Sequence, residues 1–255
     1  MLKIQNLKVQ IEKERILDHL NLNIKSGEVH VLMGPNGSGK STLAKVLAGD
    51  SQYEILEGQV LYEVHFKEKD LLSMDISQRA QEGVFMAFQY PIEIPGLNNL
   101  EFLKTAFNSI CKHQGVDVMK EEDFNNFALN KAKELGVDEE FLKRDLNAGF
   151  SGGEKKQNEI LQMMILSPRL CILDESDSGL DVDSIKKIAK GINRFINKDR
   201  SVLLITHYHK LLELIRPDFV HVIIDGRIRK TGNFSLSEKI EAEGYDWISK
   251  TSQGL

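Results

Sequence analysis

Two groups of residues in this chain have the types and spacing of phosphate chemistry. Gly34-Pro35-Asn36-Gly37-Ser38-Gly39-Lys40-Ser41 fits G-x-x-x-x-G-K-[ST] and stands between the apolar run Val29–Met33 and a helical stripe that starts near Ser41. In that setting glycines let successive backbone N–H groups turn inward around a β-phosphate, and the helix N-terminus adds positive potential. Lys40 is expected to reach the β- and γ-phosphates, and the Ser41 hydroxyl to ligate Mg2+. A nucleoside triphosphate is the predicted ligand, held by residues 34–41 and Thr42. The second group is Asp174-Glu175, which follows the apolar run Leu170–Leu173 and so leaves the carboxyl edge of a sheet, where open α/β sheets bind ligands. Asp174 is expected to hold Mg2+, directly or through water. Glu175, one residue later and directed elsewhere, is expected to orient and polarise the attacking water as general base.

The elements that must position these groups are visible in the same string. Short β-type runs, Leu2–Val9, Leu20–Ile24 and Val29–Met33, precede a helix that carries Leu43, Val46 and Leu47 on one stripe and stops at Gly49. From Asn98 to Gly136 the spacing turns helical, with Leu100, Leu103, Phe107 and Ile110 three or four apart. After Pro168 strands and helices alternate: Leu170–Leu173, Ser184–Ile196, Val202–Thr206, His209–Ile215 and Val220–Ile224. Such alternation predicts a parallel sheet covered on both faces, an α/β fold. The expected organisation is one domain over residues 1–255. Residues 1–88 and 168–255 form a nucleotide-binding α/β core with a β subdomain, and 89–167 form an inserted helical subdomain.

Composition excludes several classes. With 41% hydrophobic and 28% charged residues the chain is globular, and 33 Lys and Arg against 38 Asp and Glu leave a net charge of −5. No global basic field exists to hold nucleic acid or an anionic membrane. The two cysteines, Cys111 and Cys171, are too far apart for a zinc ribbon, and Cys171 reads as a buried reduced thiol of a cytoplasmic protein. The longest apolar runs fall far short of the ~20 residues of a bilayer span, and the start MLKIQNLKVQ lacks the core of a signal peptide, so no direct membrane insertion is expected.

Ser151-Gly152-Gly153-Glu154 opens a helix over Lys155–Leu166 and offers a second anion site. Ser151-x-x-Glu154 is also a capping box, which explains those two residues but not the paired glycines, which cost helix propensity. Placed before Leu173-Asp174-Glu175, this segment resembles the signature of ATP-binding-cassette ATPases. The resemblance extends to a glutamine loop at Phe88-Gln89-Tyr90, an aspartate loop at Ser178-Gly179-Leu180-Asp181, and a switch histidine at Ile205-Thr206-His207. It implies a P-loop NTPase fold, with a RecA-like parallel-sheet core, an N-terminal antiparallel β subdomain and the helical insertion. It also implies Mg2+-dependent hydrolysis of ATP to ADP and phosphate. Glu175, His207 and Gln89 would be catalytic, and Ser41, Gln89 and Asp174 would hold the metal. Ser151, Gly152, Gly153 and Asp181 would complete the nucleotide site of a second copy, since one chain has one set of motifs.

Within that family, the chain from Met1 to about Trp247 resembles the ATPases of the SUF iron–sulfur cluster assembly system. The matching segments include Met86–Pro91 with Glu93–Gly96, Phe150–Lys156, Asp174–Asp181, Thr206-His207-Tyr208 and Pro217–Val222. Transporter cassettes usually read Asp-Glu-Pro-Thr and Leu-Ser-Gly-Gly-Gln where this chain has Ser176-Asp177 and Glu154. The resemblance implies SufB-like and SufD-like scaffold partners, remodelled by ATP-driven pairing, and no cluster on this chain, whose two cysteines cannot form a four-thiolate site. The loop Tyr90–Leu97 is the candidate docking surface, or else a proline-stiffened loop packed on its own subdomain. The residues from Ile11 to Arg15 offer no aromatic to stack on adenine, so base affinity is expected to be modest. The alternative is the nucleotide-binding subunit of a membrane transporter, which uses the same ATP chemistry. His209 makes no metal pair with His207 without a third ligand.

Overall fold

The structure, a computed structural model, describes residues 1–64, 67–177 and 179–251. Leu2–Ile11 (β1) and Glu14–Ile24 (β2) form an antiparallel hairpin closed by Glu12 and Lys13, whose φ values of 47° and 70° match the twist of the flanking strands. Val29–Met33 (β3) runs through the phosphate loop into Lys40–Ala48 (α1), which ends at Gly49. Glu54–Val64 (β4) pairs with β1 and with Lys67–Asp70 (β5), giving the four-stranded sheet β2-β1-β4-β5. Ile76–Gln81 (α2) and Val84–Ala87 (β6) complete the N-terminal half.

The insertion begins with Ile94–Asn98 (β7) and Asn99–Gln114 (α3). Glu121–Leu135 (α4), Glu140–Lys143 (α5), Asp145–Leu146 (β8) and Gly152–Leu166 (α6) follow. The chain then returns to the core through Leu170–Asp174 (β9), Val182–Phe195 (α7), Ser201–Ile205 (β10), His209–Ile215 (α8) and Phe219–Ile224 (β11). Arg227–Gly232 (β12), Phe234–Glu243 (α9) and Asp246–Thr251 (α10) end the described chain. The central sheet runs β12-β11-β3-β10-β9-β6, parallel throughout except for the antiparallel edge pair β11–β12.

β3, β9 and β10 are buried on both faces, as their mainly apolar runs lead one to expect, with His30 the polar residue inside β3. Alternate residues feed two cores. Val31, Met33, Leu173, Val202 and Leu204 pack towards α4, α6, α7 and α8, while Leu32, Ile172, Leu203 and Ile205 pack towards α1 and the antiparallel sheet. The phosphate-loop helix is therefore fixed between two sheets. Its C-terminal end is held by Arg79, a buried guanidinium that donates to the carbonyls of Val46 (2.7 Å), Leu47 (3.0 Å) and Met74 (2.9 Å). The Val46 and Leu47 carbonyls carry the negative end of the helix dipole, which a cation offsets.

Candidate active site

The phosphate loop has the backbone its glycines predict. A Cβ on Gly34 would sit 2.2 Å from the Ile223 carbonyl oxygen, so only glycine lets the loop leave β3 against β11. Gly39 caps α1 at φ 103°, and a Cβ there would meet Leu17 at 2.7 Å. Lys40 folds back on the loop, its Nζ donating to the carbonyls of Gly34 (2.8 Å) and Pro35 (2.9 Å), and burial pushes its pKa down. Ser38 Oγ is buried without a hydrogen-bond partner, a polar atom of the cradle left for a ligand to satisfy.

Ser41 and Asp174 meet at the mouth of the loop, Oγ donating to Oδ1 across 3.2 Å. Asp174 is buried, and that burial pushes its carboxyl up, the Ser41 hydrogen bond pulling the other way and the neighbouring Glu175 adding to the rise. A hydroxyl and a buried carboxylate on adjoining elements form a hard oxygen donor set that suits Mg2+.

Beyond β9 the backbone turns sharply: Glu175 has φ 47°, a left-handed value for a side chain that is not glycine, and its N–H donates to the Ile205 carbonyl at 2.9 Å. The turn directs the side chain to Gln89, whose Nε2 donates to Glu175 Oε2 across 2.6 Å. His207 follows β10 and is exposed into the same pocket. Its neighbour Thr206 is anchored on both sides, donating from Oγ1 to Asp177 Oδ2 (2.5 Å) and accepting from the Tyr208 N–H (2.9 Å). Asn36, Gly37, Gly39, Lys40, Ser41, Thr42, Gln89, Glu175 and His207 line one cavity.

Ser151, Gly152 and Gly153 do not line that cavity. They form the exposed start of α6, where Ser151 and Glu154 make the reciprocal capping box, at 3.2 and 2.7 Å. A Cβ on Gly152 would meet nothing within 4 Å, so this position borders open space. Asp181, also exposed, caps α7 through the Ser184 N–H at 2.7 Å; Ser184 Oγ in turn accepts from Gln157 of α6 at 3.3 Å. The signature and Asp181 thus meet around Ser184, outside the cavity that their own chain's phosphate loop lines. Ser178 lies outside the described residues.

Three features were not anticipated from the sequence. Ile16 of β2 lines the cavity, one residue beyond the Ile11–Arg15 stretch that offers no aromatic for adenine. Asp177 holds the threonine before His207, and a buried pair on α6, Lys156 and Glu159, holds the residue before Gln89. Each is a polar or apolar residue of ordinary type whose partner is distant in sequence, so no local spacing signals it. His209 binds Glu241 at 3.0 Å and packs on Phe234, and among the described residues no cluster is suited to a metal ion held by His, Cys, Asp and Glu alone.

Residues 17–178 match the family described as ABC transporter. The chain belongs to the ABC ATPase family. As an ABC ATPase it binds and hydrolyses ATP. It is 49% identical over 250 residues, 98% of this chain and 99% of the relative, to the "Probable ATP-dependent transporter SufC" of Escherichia coli. It is 48% identical over 252 residues to the "Iron-sulfur cluster assembly protein SufC" of Plasmodium falciparum, covering 98% of this chain and 72% of that protein. The ABC ATPase fold is also that of a solved ATP-binding cassette, a dimer in a post-hydrolysis state bound to ADP and Pi. The two superpose with a TM-score of 0.76 at 23% identity, over 92% of this chain and 99% of the other. Among the described residues no helix is long and apolar enough to cross a membrane.

Proposed function

We propose that this chain is the ATP-hydrolysing subunit of an iron–sulfur cluster assembly complex, and that ATP draws two copies together to remodel a SufB-like and SufD-like scaffold. The carrying observation is the division of the site: Lys40, Gln89, Glu175 and His207 share one cavity, while Ser151–Gly153 and Asp181 form a separate exposed surface. A second copy supplies what one copy lacks. The near full-length similarity to proteins named SufC supports the assembly role.

Residues 34–42 hold the triphosphate, with Lys40 exchanging the Gly34 and Pro35 carbonyls for phosphate oxygens. Ser41, Asp174 and Gln89 would hold Mg2+, which supplies charge neutralisation at the phosphates when bound. Glu175 orients the attacking water and takes its proton, and His207 donates to the γ-phosphate, its backbone set by the Asp177–Thr206 bond. Tyr90 and Ile92, 81% and 65% exposed beside the helical subdomain, suit a docking surface for the scaffold. The protein acts in the cytoplasm.

Anaerobic affinity purification with identification of bound chains, and iron and sulfide assays of the complex, test the assembly role. Co-purification with water-soluble scaffold proteins that carry cluster supports it. Sedimentation with an integral membrane partner would favour the transporter reading instead.

A further inference from the structure

Phe88 stands between β6 and Gln89, and its backbone is gripped at both ends by one buried ion pair. Its N–H donates to Glu159 Oε1 at 2.8 Å, and its carbonyl accepts from Lys156 Nζ. Lys156 and Glu159 lie one turn apart on α6, 3.3 Å from each other, each with 5% of its side chain exposed. Phe88 itself is 44% exposed, yet both of its main-chain groups bond to charged side chains taken out of water. A buried ion pair rarely outperforms well-packed apolar side chains in stability, which points to a geometric role.

The same turn of α6 also holds the far end of the loop. Asn158 donates to Asn147 Oδ1 (2.9 Å), which donates to the Ile92 carbonyl (2.9 Å), and Lys155 pairs with Glu93 at 2.5 Å. The helix that begins behind Ser151 thereby holds both flanks of Gln89, whose amide reaches Glu175.

We propose that Lys156 and Glu159 are positioning residues that fix the backbone beside Gln89, and so set where its amide stands against Glu175. This rests on the ATPase reading and on Gln89 acting in the pocket. If the pair only satisfied the Phe88 backbone, its loss would lower stability without acting through Gln89.

The test is a double-mutant cycle on the full chain, read as steady-state ATP hydrolysis. Glu159→Ala should lower kcat by about 10- to 100-fold with KM for ATP changed by less than about threefold, the signature of misplaced rather than missing chemistry. Glu159→Gln, which still offers an oxygen to the Phe88 N–H, should recover much of the loss. Glu159→Ala combined with Gln89→Ala should be no slower than Gln89→Ala alone. Lys156→Met with Glu159→Leu replaces the pair by apolar volume; it should keep the wild-type melting temperature yet show the same kcat loss, and it carries the cycle should Glu159→Ala fail to fold. Wild-type kcat in the apolar double variant, multiplying effects in the cycle, or a Gln89→Ala chain of normal kcat would each overturn the proposal. A wild-type chain that never hydrolyses ATP would instead overturn the ATPase reading beneath it.

Discussion

Gln89 donates from Nε2 to Oε2 of Glu175 across 2.6 Å, tying the chain just beyond β6 to the chain just beyond β9. Those strands are parallel neighbours, with Ala87 beside Leu173, so the contact spans 86 residues of sequence but one strand spacing in space. A glutamine amide thus holds the carboxylate proposed to activate water.

Glu175→Gln keeps the volume and the left-handed backbone turn but removes the base. ATP binding should stay within about threefold of wild type, phosphate release should fall by about 10²- to 10⁴-fold, and a two-copy species should accumulate with ATP. Phosphate release and light scattering check both halves. Turnover near the wild-type rate would remove Glu175 from the mechanism.

Lys40 is buried, and among the described residues its hydrogen-bond partners are two carbonyl oxygens, at 2.8 and 2.9 Å. Lys40→Ala should therefore leave the fold intact and cost most of the nucleotide affinity, at least about 100-fold by calorimetry. Unchanged affinity would show that the triphosphate is held elsewhere.

Ile16 lines the cavity where a stacking ring would select the base. ATP and GTP should bind within about tenfold of each other, and Ile16→Tyr should tighten ATP binding by about 1 kcal/mol through base stacking. Competition between the two nucleotides measures the first. The Tyr variant measures the second.

His30 and His221 join β3 to β11 by a chain of hydrogen bonds that ends on the Glu28 carboxylate. Glu28 Oε2 lies 2.9 Å from His30 Nε2, His30 Nδ1 lies 2.8 Å from His221 Nε2, and His221 Nδ1 lies 2.8 Å from Thr231 Oγ1. A proton on the His–His contact sets N–H against N–H. Burial holds His30 below its usual value and pushes His221 down to about 4. Both rings stay neutral in the folded chain and titrate near 6.5 when unfolded. Stability is fully present above about pH 6.5 and falls as pH drops towards 4, by about 3 kcal/mol from His221. Urea melts between pH 7 and 4.5 should show this slope, and His221→Gln should flatten it.

Arg79 makes three hydrogen bonds to carbonyls around the end of α1 with 6% of its surface exposed. Arg79→Ala leaves buried acceptors unpaired and should lower stability by about 3 kcal/mol without altering the chemistry of the site. A chemical melt with a loss under about 0.5 kcal/mol would mean that water replaces the guanidinium.

Some of this molecule is legible in the sequence because its information is local. The strands β3, β9, β10 and β11 are predominantly apolar runs, interrupted by His30 in β3 and His221 in β11, and α1 is framed by Gly39 and Gly49, so runs and caps mark them directly. β4 is less legible, since the first six of its residues are exposed and show no alternation, and β12 lies at the sheet edge, where half-exposed side chains such as Arg227 and Lys230 carry little pattern. The helices α9 and α10 lie beyond the last motif and were not anticipated.

The phosphate loop and the carboxylates Asp174 and Glu175 were settled by adjacent residues, because a glycine pattern dictates a backbone path and a strand end dictates where its next side chains emerge. Only the folded chain decided that Gln89, Glu175 and His207 line one cavity, that Ile16 joins them, and that Ser151 and Asp181 stay outside it. Strand order does this. Placing β6 beside β9 and β9 beside β10 aligns three loop starts that sequence separates, and no local spacing encodes that order. The grip of Lys156 and Glu159 on Phe88 belongs to the same class, since its meaning exists only once α6 is packed against the end of β6.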